Sequence, residues 1–599
     1  MAETPDERSV VILGAGINGA ALARELALGG LSVTVVDTHD LAFGATAYSS
    51  RLIHGGLRYL EYGEFGLVRE SLAERARLLQ LAPQFVRALK LYIPVANRFG
   101  GLLTSARRFF GFGRGKAAAK AAGSRGLWLV RIGLSLYDFY ARDPHLPKHE
   151  SCRTDRQRDV HLDPNQFPWL CAYYDAQIRF PERFVVALLD DARRAAAETG
   201  AKFELYTYHR ATISGRAVEI SPVGGPSAPA LRVEPLAIVN ATGAWVDRTL
   251  QQLNVKSKTL MGGTKGSHFI SANPRLRAAL GEHGLYAEAA DGRPVFVLPF
   301  GEASLVGTTD LPFTGDPADA VATPAELDYL LRTVNSLLPD VHLSAADVDL
   351  HYCGVRPLPH VDAAAPAAVT RRHAIVESPS SEPPLYSIVG GKLTTSRSLA
   401  EEAASAIRAR LGLPEGKNSR ERALPGGKAY PAGPTAVDAE CRRLANELQL
   451  SVAQVQAVWQ LRGTETASIL KECLAAEQAS GGRQPPGDAS RSPTDVALSH
   501  FDPTSRLTPA AHRGETLVDT DLPLAFVRWV VRHEWVRRLD DLVERRLMLL
   551  YDRRLSRACL RQLAAILVEA GLVPPDAAET EVEQTVERLK SHFGKRLAE

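Results

Sequence analysis

Six side chains of this sequence have the chemistry to hold a small phosphorylated compound and to move a proton. Arginine binds a phosphate group through parallel hydrogen bonds, and lysine adds a compact positive charge. Histidine can accept a hydroxyl proton near neutral pH. Most arginines of any protein form surface ion pairs, so no single member of this set is specific. The candidate substrate-binding residues are Arg58, Tyr59, His268, Arg293, Arg356 and Lys392.

Two histidines compete for the role of catalytic base. His54 precedes two glycines, which would let the backbone approach a flat ring, so we expect it to contact a ring-shaped cofactor. His268 ends a glycine-rich bend and is the preferred base, with Tyr59 or water as alternatives. Arg356 precedes a proline that restricts its backbone and would help to fix its guanidinium group. The candidate catalytic residues are therefore His268, Arg356 and Tyr59.

The elements that must position these side chains begin with a β-α-β unit. An apolar strand at 10–13 precedes the glycine fingerprint GAGING at 14–19, and a helix and a second strand ending in Asp37 follow. Such a loop places backbone N–H groups and a helix N-terminus against a pyrophosphate, with the acid on ribose hydroxyls. The order of these features predicts a Rossmann-like dinucleotide-binding domain of α/β class. The fingerprint alone does not separate FAD from NAD.

Three later features favour FAD. The run SSRLIHGGLRYLE at 49–61 comes soon after the second strand, where the ribityl chain and ring of a flavin would lie. ATGAW at 241–245 closes a later strand, and GGKLTT at 390–395 opens a late helix whose N-terminus would stabilise an anionic reduced flavin. The predicted cofactor-binding residues are Gly14, Gly16, Ile17, Asn18, Gly19, Asp37, Ser49, Ser50, Arg51, His54, Gly55, Gly56, Thr242, Gly243, Gly391, Lys392, Leu393 and Thr394.

Further patterns extend the fold. Apolar runs at 235–240 and 385–389 predict strands that return to the first sheet. Residues 296–300 and 304–307 flank a short turn and predict an antiparallel hairpin in a domain that covers the substrate. Residues 65–91 have helical spacing.

The chain of 599 residues, 45% of them hydrophobic, is too large for one core. After residue 427 it is mostly helical, apart from a Gly-, Pro- and Ser-rich stretch at 480–502 that predicts a surface loop. The predicted domains are a discontinuous FAD-binding domain (1–90, 150–245 and 345–415), a separate basic and aromatic segment (91–149), a substrate domain (246–344) and a helical C-terminal domain (420–599).

Charge, cysteine content and hydrophobic runs limit the partners and the cellular location that we expect for the protein. The formal net charge is +3 and no nucleic-acid-binding motif is present, so a nucleic acid partner is not expected. The six cysteines are scattered without a metal-ligand or disulfide pattern, which predicts reduced thiols in a cytoplasmic protein and no metal site. The first residues lack the pattern of a signal peptide, and no run of 18 uncharged apolar residues predicts a membrane span.

The segment from 98 to 131 is basic and aromatic. Every charged residue in it is Lys or Arg, and these alternate with Phe, Trp and Leu. This composition favours peripheral contact with an anionic lipid surface, and the alternative is a solvated flexible loop.

Taken in order, these motifs closely resemble those of the FAD-dependent glycerol-3-phosphate dehydrogenases. The resemblance also includes VNATGAW, KGSH, VGTTD, GVRPL and a C-terminal HEWVRRLDD at 533–541. It implies a D-amino-acid-oxidase-like architecture with an antiparallel β substrate domain and a helical C-terminal domain. It also implies a homodimer at the inner face of the cytoplasmic membrane, with membrane quinone as the electron acceptor.

The family's substrate groups fall on the six candidate residues. The expected reaction is oxidation of sn-glycerol 3-phosphate to dihydroxyacetone phosphate, with hydride passing from C2 to flavin N5. Four positively charged groups favour a doubly charged phosphate over a single carboxylate. The alternatives are an oxygen-using glycerol-3-phosphate oxidase, a related FAD oxidase of 2-hydroxy acids or amines, and a non-catalytic flavin-binding membrane scaffold.

Overall fold

A computed structural model describes residues 9–99, 126–143, 145–224, 230–360, 372–379, 381–480 and 514–598. The chain forms two compact units. One consists of Met1–Leu424 with Lys590–Arg596, and the other of Pro425–Leu589 with Leu597–Glu599.

The strands of the described residues, in chain order, are β1 (Ser9–Leu13), β2 (Ser32–Asp37), β3 (Leu52–Ile53), β4 (Val86–Val95), β5 (Glu150–Arg153), β6 (Trp169–Ile178), β7 (Phe203–Thr207), β8 (His209–Ser214), β9 (Ala217–Pro222), β10 (Leu231–Val233), β11 (Ala237–Asn240), β12 (Thr264–Ser271), β13 (Gly284–Glu288), β14 (Pro294–Phe300), β15 (Ala303–Gly307), β16 (Leu311–Pro312), β17 (Leu350–Arg356), β18 (Ala374–Ser378) and β19 (Leu385–Val389).

The α-helices of the described residues are α1 (Ile17–Leu28), α2 (Phe65–Leu81), α3 (Leu127–Ala141), α4 (Pro181–Thr199), α5 (Val246–Gln252), α6 (Pro274–Leu280), α7 (Pro324–Leu337), α8 (Ser396–Arg410), α9 (Pro434–Leu448), α10 (Val452–Arg462), α11 (Thr466–Ser480), α12 (Leu524–His533), α13 (Leu539–Asp541), α14 (Arg557–Glu569) and α15 (Ala578–Phe593).

The first unit contains the predicted Rossmann-like sheet. Its six strands lie in the order β18-β19-β11-β1-β2-β7 and are parallel except for β18. All five residues of β1 and of β19 are buried, as expected for strands of a parallel sheet that is covered on both faces. The strands predicted at 10–13, 33–36, 235–240 and 385–389 are confirmed as β1, β2, β11 and β19.

The same unit contains a second, mostly antiparallel sheet. Eight strands lie in the order β16-β12-β15-β14-β13-β4-β6-β3, with β17 added on β12 and β5 on β6. The predicted hairpin is confirmed, because β14 and β15 pair antiparallel. A small third sheet has the order β10-β9-β8.

The sheets divide the chain differently from the predicted boundaries. β4 begins inside the predicted FAD-binding domain, and β6 and β17 lie within it, yet all three belong to the second sheet. Residues 65–91 are also not one helix, because α2 ends at Leu81 and β4 begins at Val86. The cause is the ten-residue antiparallel pairing of β4 with β6, which joins segments about 80 residues apart and leaves no local sequence pattern.

The second unit is helical, as predicted, with α9 to α14 and most of α15. The loop predicted at 480–502 lies outside the described residues from 481 onward, and most of the basic segment, 100–125, does so too. Within the described residues, no helix is both long and apolar enough to cross a membrane.

A buried ion pair anchors the chain just before β3. Arg51 is fully buried, and its Nη2 atom donates to Glu182 Oε1 at 2.6 Å while Nη1 donates to Oε2 at 3.1 Å. The same guanidinium group donates to the carbonyl oxygens of Ala47 and Arg179. These hydrogen bonds therefore fix the chain at Arg51 to the first turn of α4.

We expect Arg51→Ala to destabilise the first unit. Removing one partner of a buried ion pair typically costs about 3–5 kcal/mol. The midpoint of thermal unfolding, followed by circular dichroism, should fall by several degrees. Arg153→Ala is the control, because Arg153 and its partner Asp155 are about half exposed (47% and 46%), and it should leave the midpoint unchanged. Equal midpoints for the two variants would contradict a structural role for Arg51.

Candidate active site

A cavity of about 510 Å³ lies in the first unit. Its wall brings together the loop after β1, the end of β2, residues 48–54, the segment after β11, and the loops after β17 and β19. The two large sheets both contribute to it, since β12 provides His268 and β1 leads into the glycine loop. A cavity of this size, at the carboxyl ends of parallel strands, is typical of a ligand site.

The glycine loop faces this cavity at the start of α1. Gly14, Gly16, Ile17 and Asn18 line the wall, so the N-terminus of a twelve-residue helix is directed at any bound ligand. The helix dipole favours the negative charge of a diphosphate there. Thr46 was not among the predicted site residues. Its hydroxyl accepts a hydrogen bond from Ile17 N at 3.1 Å.

The carboxylate of Asp37 lies at the end of β2, as predicted. Its two oxygens accept hydrogen bonds from Ala15 N at 2.7 Å and from His39 N at 2.9 Å. Each carboxylate oxygen can accept a second hydrogen bond, so Asp37 can hold the two hydroxyls of a ribose while it fixes the glycine loop.

The hydrogen bonding and packing around Asn18 show whether this wall fits a bound cofactor. Its Nδ2 atom donates to the Gly390 carbonyl at 3.2 Å, whereas its buried Oδ1 atom has no hydrogen-bond partner among the described residues. Gly391 has φ +93°, and a Cβ there would lie 2.8 Å from Asn18 Nδ2. A buried acceptor atom without a protein partner, in a wall where only glycine fits, suits a bound ligand that can donate a hydrogen bond.

Three aromatic rings that the sequence did not predict form part of the wall. His39 and Phe43 are stacked with centroids 4.2 Å apart and planes 2° from parallel, and Trp245 lies beside them. Trp245 Nε1 donates to Asp316 Oδ1 at 3.0 Å, which fixes the indole. Flat rings of this kind suit an adenine base. The only sequence signal was the tryptophan of ATGAW.

The run at 49–61 meets the late glycine turn at the cavity. Thr394 Oγ1 accepts from His54 N at 3.1 Å and donates to the His54 carbonyl at 3.4 Å. His54 and Tyr59 line the wall, but Gly55 and Gly56 do not. A Cβ on Gly55 would meet Leu72 and the Tyr137 hydroxyl, and one on Gly56 would collide with the Tyr59 ring. Packing against protein atoms therefore requires glycine at both positions, and the approach of these glycines to a ring of the cofactor stays a prediction.

Of the other predicted cofactor residues, some line the cavity and others are held by contacts within the protein. Arg51 reaches the wall, but its guanidinium group binds Glu182 and backbone carbonyls, so its charge is used by the fold. Gly19 does not line the cavity, because it packs against the Gly14 carbonyl in the turn. The remaining predicted residues on the wall are Ser49, Ser50, Thr242, Gly243, Gly391, Lys392, Leu393 and Thr394.

His268 is buried on β12 at the cavity wall. Its Nε2 atom is 2.8 Å from Ser50 Oγ, and its ring stacks on Tyr352 with centroids 4.9 Å apart. Burial, together with the positive charges of Arg356 and Arg51, holds the pKa of His268 well below its usual value. The imidazole is therefore neutral at physiological pH and able to accept a proton.

Arg356 and Lys392 are the basic candidates that reach the cavity. Arg356 Nη1 donates to Asp310 Oδ1 at 3.0 Å, and Nη2 donates to Thr308 Oγ1 at 2.9 Å. Lys392 Nζ lies 4.0 Å from the centroid of the Tyr59 ring. Asp310 and Thr308 belong to the VGTTD motif, for whose residues the sequence predicted no role.

Arg58 and Arg293 do not line the cavity. Arg293 Nε donates to Asp291 Oδ2 at 2.7 Å, and its guanidinium group stacks over the Tyr329 ring at 4.6 Å. It still lies near Arg356, because its Nη1 atom donates to the backbone carbonyl of Asp310 at 3.3 Å. The structure thus brings together four of the six candidate substrate residues: Tyr59, His268, Arg356 and Lys392.

A Rossmann-like cradle that opens onto an antiparallel sheet suits an oxidoreductase that binds a dinucleotide such as FAD. The chain belongs to the family described as FAD dependent oxidoreductase, whose model matches residues 9–397. The cofactor of this family is FAD, and the predicted cofactor is confirmed.

Individual relatives give a finer comparison. The chain is 32% identical over 496 residues to a glycerol-3-phosphate dehydrogenase from Synechocystis sp., covering 77% of this chain and 80% of the relative. It is 33% identical over 441 residues to a D-erythritol 1-phosphate dehydrogenase from Brucella abortus, covering 72% and 79%. The resemblance inferred from the motifs is confirmed by these matches.

A solved structure shows the shared fold. The glycerol-3-phosphate dehydrogenase from Bacillus halodurans complexed with FAD matches 98% of this chain and 95% of its own, with a TM-score of 0.66 and 19% identity. The predicted architecture, an FAD-binding domain with an antiparallel substrate domain and a helical C-terminal region, is confirmed.

Proposed function

We propose that this protein oxidises sn-glycerol 3-phosphate to dihydroxyacetone phosphate with FAD as the hydride acceptor. The main support for the proposal is that catalytic and binding groups share the wall of one cavity. The neutral, buried His268 and the cations Arg356 and Lys392 lie there beside the dinucleotide cradle. The names of the relatives add support, since one acts on glycerol 3-phosphate and another on a phosphorylated four-carbon polyol.

His268 takes the proton of the substrate hydroxyl in this proposal. When bound, FAD accepts the hydride that leaves C2 of the substrate. His268 Nε2 accepts the hydroxyl proton, either directly or through Ser50 Oγ at 2.8 Å. Burial and the nearby charges of Arg356 and Arg51 lower the pKa of His268, so it is a weak base that releases its proton readily.

Arg356 and Lys392 hold the phosphate group. The carboxylate of Asp310 and the hydroxyl of Thr308 fix the plane of the Arg356 guanidinium group, so less conformational freedom is lost on binding. The Lys392 ammonium group lies over the Tyr59 ring, which directs a second positive charge to the same cavity. Two cations and a phenol suit a dianionic phosphate better than a single carboxylate.

The helix α3 supports peripheral contact with a lipid surface. Three large apolar side chains on it are about half exposed, at 45%, 53% and 59%, and they follow one another at helical spacing: Trp128, Ile132 and Phe139. Arg131 packs over Trp128 at 5.1 Å and Arg142 over Phe139 at 5.3 Å. An apolar stripe flanked by cations is typical of a helix that lies on anionic lipid.

Electrons then pass to a membrane quinone in this proposal, because a lipid-bound enzyme has direct access to it. The oxygen-using oxidase is the alternative. The predicted homodimer stays a prediction.

Turnover with an artificial dye acceptor tests the substrate. We expect kcat/KM for glycerol 3-phosphate to exceed that for D-erythritol 1-phosphate by at least about tenfold, because one extra carbon in a fitted pocket costs on the order of 1–3 kcal/mol. Glycerol, which lacks the phosphate group, should give no turnover. The reverse order would assign the four-carbon polyol phosphate, and turnover of neither phosphate would contradict the proposal.

Arginine substitutions test the phosphate clamp. Arg356→Ala should raise KM for glycerol 3-phosphate by roughly 10–100-fold, because a hydrogen bond to a charged group contributes about 1.5–3 kcal/mol. The absorbance spectrum of bound FAD should not change. Arg293→Ala is the matched control, since that arginine also pairs with an aspartate but does not line the cavity, and KM should rise less than about threefold. Similar KM values for the two variants would remove Arg356 from the clamp.

Vesicle co-sedimentation tests the lipid surface. Replacing Trp128, Ile132 and Phe139 together by serine should weaken binding to vesicles that contain phosphatidylglycerol by at least about tenfold, since each large apolar side chain contributes on the order of 1.5–3 kcal/mol when buried. Val518→Ser, which removes an exposed apolar side chain elsewhere, should bind as the unaltered protein does. Unchanged binding of the triple variant would exclude this helix as the contact.

A further inference from the structure

A buried polar cluster lies behind the segment from His54 to Tyr59, which we call the cavity loop. The cluster has no part in the reaction proposed above. It consists of Arg75 on α2, Tyr137 on α3 and Asp175 on β6, each at most 2% exposed. Tyr137 Oη donates to Asp175 Oδ1 at 2.6 Å, and Arg75 Nη1 donates to the same oxygen at 2.9 Å. Three elements of the first unit therefore meet at one carboxylate oxygen.

This cluster, which we call the Asp175 cluster, also holds a backbone group of the cavity loop. Gly55 N donates to Tyr137 Oη at 2.9 Å and to Asp175 Oδ1 at 3.2 Å. A Cβ on Gly55 would lie 2.5 Å from the Tyr137 hydroxyl, so the loop approaches the cluster as closely as a backbone can.

Two residues near Gly55, one before it and one after it, face the cavity. His54 precedes Gly55 and lines the wall, where Thr394 fixes its backbone. Tyr59 also lines the wall, and its ring packs directly on Gly56, which has φ +74°. A shift of Gly55 would therefore move His54 and Tyr59 together relative to bound FAD.

We propose that Tyr137 and Asp175 are positioning residues that set the geometry of the loop from His54 to Tyr59 against FAD, acting through the N–H group of Gly55. The effect on turnover rests on the function proposed above, whereas the effect on the FAD environment does not.

The cost of the cluster argues for a role beyond packing. Burying an acid, a phenol and a guanidinium group away from bulk solvent is expensive, and apolar side chains of similar volume would fill the same space at lower cost. Burial raises the pKa of both Tyr137 and Asp175, which shows how strongly the surroundings disfavour extra negative charge. Two of the three groups, Tyr137 and Asp175, accept hydrogen bonds from one loop amide, the N–H group of Gly55, and Arg75 holds Asp175 in place.

Two tyrosine-to-phenylalanine variants test the proposal. Tyr137→Phe removes the hydroxyl that accepts from Gly55 N. Tyr173→Phe is the matched control, because Tyr173 is also buried and packs edge-on against Tyr137 with centroids 5.8 Å apart, but no hydrogen bond described for Gly55 involves it. Each holoenzyme variant is measured for FAD content, thermal midpoint, visible circular dichroism of bound FAD, and kcat with glycerol 3-phosphate.

The proposal predicts that both variants bind FAD stoichiometrically yet differ at the site. The thermal midpoint of Tyr137→Phe should fall below that of Tyr173→Phe, because Tyr137→Phe also loses a hydrogen bond to the buried carboxylate of Asp175. Tyr137→Phe should alter the visible circular dichroism of FAD and lower kcat about 5–20-fold, whereas Tyr173→Phe should match the unaltered protein within about twofold. Equal effects in both variants, or none in either, would overturn it. If the unaltered protein does not turn over glycerol 3-phosphate, the proposed function fails, and the dichroism comparison still decides the positioning role.

Discussion

The backbone of the glycine loop lies so close to neighbouring segments that side chains there would collide with them. A Cβ on Gly14 would lie 2.7 Å from the Ala241 carbonyl oxygen, and one on Gly19 would collide with the Gly14 carbonyl. Gly391 closes on Asn18 in the same way from a segment more than 370 residues away. These close approaches fix where β1, β11 and the turn after β19 meet, and the cavity lies at that junction.

Around this junction, three arginines are each paired with a carboxylate. Arg51 binds Glu182 and Arg75 binds Asp175 in the buried interior, while Arg356 binds Asp310 at the cavity wall. A buried ion pair contributes little net stability, so its value lies in holding a defined geometry. Here the pairs fix the loop before β3, the loop that contains Gly55 and the guanidinium group that faces the substrate. His268 remains neutral between two of these cations.

Local sequence patterns were sufficient for the FAD cradle. The strand, glycine loop, helix and terminal acid from residue 10 to 37 lie within one continuous segment, so their geometry follows from turn and helix rules. Arg356, Lys392, His268 and Tyr59 were also predicted, and they meet at one cavity. Long-range pairing was not predictable, because the β4–β6 register depends on segments about 80 residues apart. For the same reason, local spacing could not predict that Glu74 and Arg75 on α2 are buried against Arg397 and Asp175.

Anaerobic rapid mixing of the FAD-loaded protein with glycerol 3-phosphate tests hydride transfer most directly. The absorbance band of oxidised flavin should be lost within one turnover, with no added electron acceptor, and glycerol at the same concentration should leave it intact. A protein that binds FAD stoichiometrically but keeps the oxidised spectrum in the presence of glycerol 3-phosphate would contradict the proposed reaction while leaving the fold and the cofactor in place.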